Sequence, residues 1–213
     1  MVKYFMAEVQ RRKGSETRDQ ILSFAETAVL EKGFSGTSID ELIAAVGITK
    51  SGFFYHFKDK NELAKALLQN YLEREENIFD DMFERANDLN DDPLHGFLVF
   101  LKLLAELMSD LPETHPGCLV SSFAYSDQLF NRDVRDLNAE GVLNWRDRFL
   151  ERLNLIAEHY PPKLDIEMSE LADMLTATME GGIVVSRAVR DKDVLPQQIL
   201  LFRRFIRTVF LGS

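Results

Sequence analysis

The feature that most constrains this chain is the spacing of its apolar residues, which recur three and four positions apart almost from end to end. Such spacing lines one face of an α-helix; a half-buried strand alternates every second residue, and no run here does so for more than a few positions. Proline and glycine cut the pattern into about nine helices, because proline cannot continue a helix interior and glycine readily takes the left-handed backbone that ends one. The first helix is expected over 17–32, with Ile21, Leu22, Ala25, Ala28 and Val29 on one face; Gly33 stops it and Phe34 folds back. A short helix opens at Ser38 and ends at Gly47, and a second starts near Thr49 and carries Phe53 and Phe57 into a core. Ser38 with Glu41, and Asp59 with Glu62, have the spacing of capping boxes. The helix after Asp59 is long, reaching about Asn87 before the turn at 90–93. Further helices are expected near 94–111, 117–128, 131–159, 167–190 and 196–211, with Pro112, Pro116, Pro161-Pro162 and Pro196 as punctuation and a kink at Gly141.

Composition narrows the function classes. The 213 residues are 46% hydrophobic and 28% charged, values of a folded chain with a sizeable core. No apolar run approaches the roughly 18–20 residues that span a bilayer, so no membrane partner is expected. The first residues lack an apolar secretory segment, and Cys118 is the sole cysteine, which excludes an intrachain disulfide and points to a reducing cytoplasm. The net charge of −10 is unevenly spread: residues 1–60 carry nine Lys/Arg against eight Asp/Glu, and the remainder carries sixteen against twenty-seven. Charge acts over about 8–10 Å at physiological salt, so a near-neutral front is free to meet phosphate despite an acidic body. There is no nucleophile elbow, phosphate-cradling glycine loop or paired-histidine motif, and neither an enzyme nor a cofactor or metal site is expected.

Residues 38–57 carry the functional signal. Two short helices joined by a turn at Gly47 form the pattern in which the second helix enters the major groove of DNA. Thr49, Lys50, Ser51 and Gly52 stand at the start of that helix, where small polar groups allow close approach. Lys50 suits guanine O6/N7, and Thr49 or Ser51 suits a phosphate or a base. Tyr55 and His56 lie off the Phe53/Phe57 core stripe, with polar tips suited to phosphate oxygens. Lys60 follows the Asp59 cap at the positive end of a helix, a poor place for a cation unless a phosphate joins it. Ser38 serves as cap and as candidate phosphate donor. Asp40 either faces away from DNA or selects a cytosine. Arg11-Arg12-Lys13 is either a solvated tail or an arm along the minor groove.

The run from Gly47 to Leu63, Gly-Ile-Thr-Lys-Ser-Gly-Phe-Phe-Tyr-His-Phe-Lys-Asp-Lys-Asn-Glu-Leu, together with Gly33-Phe34 and Thr37-Ser38, closely resembles the DNA-binding region of the tetracycline-repressor (TetR) family. The resemblance covers about 17–65. It departs at Phe54, where the family usually has a tyrosine whose hydroxyl binds phosphate; Tyr55 is the candidate replacement. It implies a phosphate contact for Lys60, and a division into a basic arm (1–16), a helix-turn-helix domain (17–65) and a helical effector-binding and dimerisation domain (66–213).

The last two helices are apolar on more than one side and so need two partners. The resemblance implies that they pair with their two-fold mates, with Leu175, Met179, Gly182, Phe202, Ile206 and Val209 as interface candidates. A homodimer would hold two recognition helices about 35 Å apart and require a palindromic double-stranded operator. Phe97, Phe100, Leu104, Met108, Phe123, Tyr125, Trp145 and Phe149 are either core or the lining of a small-molecule effector pocket. The function expected is a DNA-binding transcriptional repressor released by that effector. The rival is a helical small-molecule carrier or interaction protein whose N-terminal hairpin only packs.

Overall fold

In the computed structural model, residues 2–212 are described, with side chains from residue 15 onward. The elements are α1 (Val2–Gly36), α2 (Ile39–Val46), α3 (Lys50–His56), α4 (Lys60–Leu89), α5 (Pro93–Ser109), α6 (Leu119–Ala124), a 3-10 turn (Asp127–Leu129), α7 (Arg132–His159), α8 (Met168–Val189) and α9 (Val194–Leu211). There is no strand among the described residues, and the all-α expectation with about nine helices holds. The first helix begins at Val2 rather than near Thr17; the side chains of the Arg11-Arg12-Lys13 arm lie outside the described residues.

The chain forms two compact units, one of Met1–Tyr71 with Leu119–Asn138, the other of Leu72–Cys118 with Ala139–Ser213. This differs from a cut after residue 65. Residues 119–138, assigned from sequence to the effector domain, belong to the first unit because their aromatic side chains pack there. Helix α1 breaks at Gly33 (φ 79°), and Phe34 turns inward to meet Phe123 and Phe130 at centroid distances of 5.6 and 4.8 Å. The apolar face of α1 places Ile21, Leu22, Ala25 and Val29 in the same core, together with Leu42, Phe53 and Phe57.

The second unit is built around stacked phenylalanines. Phe83 and Phe100 lie face to face at 3.9 Å, with Phe97 at 5.8 Å and Phe149 at 6.2 Å from Phe100, and Phe79 beside both Phe100 and Phe149. Helix α7 runs without a break through Gly141, contrary to the expected kink. That glycine serves close approach instead: a Cβ there would fall 2.6 Å from Leu72 Cδ2. Pro196 lies inside the first turn of α9 rather than ahead of it, where the N–H it lacks has no helical partner in any case. Helices α8 and α9 pack closely at Gly182, and Arg203 Nε donates to the Leu98 carbonyl of α5 at 2.8 Å.

Candidate nucleic-acid interface

Three caps set the angle between α2 and α3. Ser38 Oγ accepts the Glu41 N–H at 3.1 Å and opens α2. Gly47, at φ 72°, ends α2 with its N–H on the Ile43 carbonyl, a left-handed position that a side chain would strain. Thr49 Oγ1 then accepts the Gly52 N–H at 3.1 Å and opens α3. The reciprocal half of the capping box expected at Ser38 is replaced: the Glu41 carboxylate pairs with Lys32 of α1 and ties the two helices together. At the next cap Asp59 Oδ1 accepts the Glu62 N–H at 2.9 Å, while Glu62 reaches back to the Lys58 N–H at 2.7 Å.

With Phe53 and Phe57 buried, α3 presents Lys50, Ser51, Phe54 and Tyr55 to solvent; Tyr55 is 82% exposed and Phe54 42%. Ser38 and Thr49 are also exposed, and the Thr49 and Ser51 hydroxyls lie 3.0 Å apart. Gly52 and His56 are half-buried. Burial, and then the charge of Arg18, hold the His56 imidazole below its usual pKa, so it is neutral at pH 7 and able to donate one N–H. Five of the eight DNA-contact candidates are therefore open to a ligand, and three are partly covered.

Lys60 has partners within the fold. Its Nζ donates to the Phe34 carbonyl at 2.9 Å and sits 4.7 Å from the centre of the Phe34 ring; burial lowers its pKa. The residue that sequence reasoning missed as a neighbour is Asp40, whose Oδ1 lies 3.9 Å from Lys50 Nζ across the turn. The signal available was only a carboxylate and an ammonium ten positions apart on two helices of unknown crossing angle.

The body residues are sorted differently from expectation. Phe97, Phe100, Leu104, Trp145 and Phe149 are buried in the second unit, and Met108 is half-buried there. Phe123 belongs to the first unit, stacked on Phe130 at 4.4 Å, and Tyr125 is 82% exposed, so these eight do not form one pocket. The second unit holds instead a cleft of about 370 Å³ lined in part by Phe83, Asn87, Phe97, Arg152, Leu155 and His159; of the eight, only Phe97 reaches it. The interface candidates Leu175, Gly182, Phe202, Ile206 and Val209 are buried within the subunit, with Met179 half-buried: the large side chains fill the subunit's own core, and Gly182 lies against Leu195 of α9. The exposed apolar residues of the same helices are Met174, Val184, Val185 and Val189 on α8, and Leu201 and Leu211 on α9. His115 accepts the Gly117 N–H at Nδ1, and no cluster of three or more metal-ligating side chains occurs among the described residues.

Two short helices, joined at a left-handed glycine and braced by α1, with the polar start of the second left open, define a helix-turn-helix DNA-binding protein. Residues 21–67 match the tetR family of bacterial regulatory proteins. The chain is 28% identical over 106 residues to the probable transcriptional regulator ArpR of Pseudomonas putida, a match covering 50% of this chain and 48% of that protein. It is 22% identical over 180 residues to the transcriptional repressor DhaR of Mycobacterium sp. (strain GP1), covering 84% of this chain and 87% of that one. In fold it is similar to a TetR-family regulator from Agrobacterium tumefaciens, with a TM-score of 0.76 and 20% identity over 92% of this chain and 99% of the other. The chain is thus similar to TetR-family helix-turn-helix transcriptional regulators: in sequence over residues 21–67 of the family's DNA-binding region, and in fold over most of its length. These relatives are regulators, not enzymes, and no described helix is long and apolar enough to cross a membrane.

Proposed function

We propose that the protein is a homodimeric repressor that grips a palindromic operator through α3 and lets go when a small molecule binds in the second unit. The observation that carries the DNA-binding part is the exposed edge of α3: Lys50, Ser51 and Tyr55 project from a helix whose other side is locked by Phe53 and Phe57. A packing hairpin, as in the carrier reading, has no use for that edge. Dimerisation is supported by the exposed apolar residues Met174, Val184, Val185 and Val189 on α8 and Leu201 and Leu211 on α9. The 370 Å³ cleft favours an effector of modest size, with the aromatic floor of Phe83 and Phe97 for its body and Arg152, Asn87 and His159 as polar groups to fix its orientation. Effector binding shifts the dimer toward a spacing of recognition helices that fits the operator poorly. A DNA partner supports a cytoplasmic location.

The test is binding of the full chain to a palindrome upstream of its own gene, titrated with salt. Specific binding that weakens steeply with salt, and drops in Lys50→Ala, is expected. Equal affinity for operator and scrambled duplex at low salt, unchanged in Lys50→Ala, would sink the regulator reading in favour of the carrier.

A further inference from the structure

Asp40 is a costly residue to bring to DNA. It is exposed on the first turn of α2, and the neighbouring carboxylate, Glu41, is already held by Lys32 of α1. Asp40 faces Lys50 across the turn at 3.9 Å, with the two side chains 82% and 70% exposed. The helix dipole accounts for a carboxylate on the first turn of α2, but an ion pair so open to solvent contributes little to folding, so stability does not account for its facing Lys50. Lys50 is the first residue of α3, on the same exposed side as Ser51 and Phe54, and its carboxylate partner arrives at the DNA with it. Phosphates repel a carboxylate. In the major groove the exocyclic amino group of cytosine offers it a donor, and the guanine paired with that cytosine presents the O6 and N7 acceptors that suit a lysine. Guanine O6 and cytosine N4 adjoin one another along the groove edge, so an ammonium held next to a carboxylate is the complement of a single G·C pair.

Resting on the DNA-binding reading above, we propose that Asp40 and Lys50 read one G·C base pair in each operator half-site, Lys50 donating to guanine O6/N7 and Asp40 accepting from cytosine N4. The pair then fixes strand as well as composition, because C·G reverses donor and acceptor. The carboxylate acts as a selectivity filter: it weakens the grip on DNA that offers it no amino donor.

The experiment selects a binding site for the full-length wild type from a random duplex pool, then measures affinities for every single base-pair change in one half-site for wild type, Asp40→Ala, Asp40→Asn and Lys50→Ala. Wild type should lose about 10–100-fold at one position when G·C becomes A·T or C·G. It should tolerate inosine·cytosine, whose major-groove edge is unchanged, and lose affinity with 7-deazaguanine. Asp40→Ala should flatten preference at that position alone, and Asp40→Asn should move it toward adenine. Circular dichroism controls for folding, which the exposure of both residues should leave intact. An Asp40→Ala variant that binds every sequence more tightly by one common factor, or keeps the wild-type preference profile, overturns the inference while leaving the regulator reading standing. Failure of the wild type to select any site overturns both.

Discussion

Adjacent glycines on α8 should respond in opposite directions to the same methyl group. At Gly182 an added Cβ would lie 2.7 Å from Leu195 Cδ1 and 3.3 Å from Leu195 Cα, so relief requires α9 itself to move and not only a side-chain tip. Overpacking of this kind costs about 1–3 kcal/mol, against which replacing a helical glycine with alanine returns about 1 kcal/mol. Gly182→Ala should therefore destabilise by up to about 2 kcal/mol, a fall in melting temperature of up to about 8 °C for a chain of this size. At Gly181 nothing lies within 4 Å of the new Cβ, so Gly181→Ala should gain up to about 1 kcal/mol of helix propensity. Guanidinium unfolding of both variants and the wild type at one fixed protomer concentration measures the difference, since association would otherwise shift the midpoints. A Gly182→Ala midpoint equal to or above that of Gly181→Ala would refute the argument that α8 and α9 meet with no slack at Leu195.

Asp92 tests the second unit by pH. Burial pushes its carboxyl up, but hydrogen bonds from Tyr160 Oη, the His95 N–H and the His95 ring outweigh this and hold the pKa at about 2. A folded pKa below the unfolded one means stability that is complete above about pH 4 and lost as the pH falls toward 2. Tyr160→Phe should shrink that loss; an unchanged slope between pH 4 and 2 would exclude the Tyr160 hydrogen bond as its cause. Lys60→Met should cost roughly 1–2 kcal/mol from its hydrogen bond and ring contact, and should also reduce the salt slope of operator binding by about one unit. Lost stability with an unchanged slope would make Lys60 purely a fold residue. Val184→Asp with Leu201→Asp should give a folded monomer by sedimentation and abolish operator binding; a persistent dimer would move the interface elsewhere. Phe54→Tyr should tighten operator binding by restoring a hydroxyl, and a null result would assign the aromatic phosphate contact to Tyr55.

The reading head was legible in the sequence because its geometry is local. Ser38, Gly47, Thr49 and Asp59 each act within four residues, through a cap or a left-handed turn, and the structure places each at the end expected of it. The Phe34 turn was legible for the same reason, but its destination was not. That Phe34 would meet Phe123 and Phe130 depends on a contact nearly a hundred residues away, so the compact units divide the chain differently from a cut at residue 65. In α8 and α9 the helical period revealed two apolar stripes without saying which faced out. Bulk misled: Leu175, Phe202 and Ile206 look like interface residues, yet large side chains fill the subunit's own core first. The buried stripe of α8 also contains Ser186, whose Oγ donates to the Ile183 carbonyl at 3.0 Å; that local bond lets a polar residue hide in a core stripe. The pocket candidates divide between the two units, and those that pack on one another, as Phe100 and Phe149 do, leave their space filled.

Lys60 shows how a sound local argument acquires a second explanation once the chain is folded. A cation on the first turn of α4 opposes that helix's dipole, and from sequence the missing counter-charge was a phosphate. The structure gives the lysine another partner: the carbonyl of Phe34, just past the Gly33 break in α1, which accepts from Lys60 Nζ and from the Thr37 N–H. The placement that looks unfavourable within α4 is therefore offset by a hydrogen bond and a ring contact to the turn after Gly33. That bond takes one of the three ammonium donors. It follows that Lys60 cannot discriminate a DNA-binding hairpin from a packing one, since either would keep it. Lys50 and Tyr55 can, because they are exposed and add nothing to the core; a repressor needs them and a carrier does not.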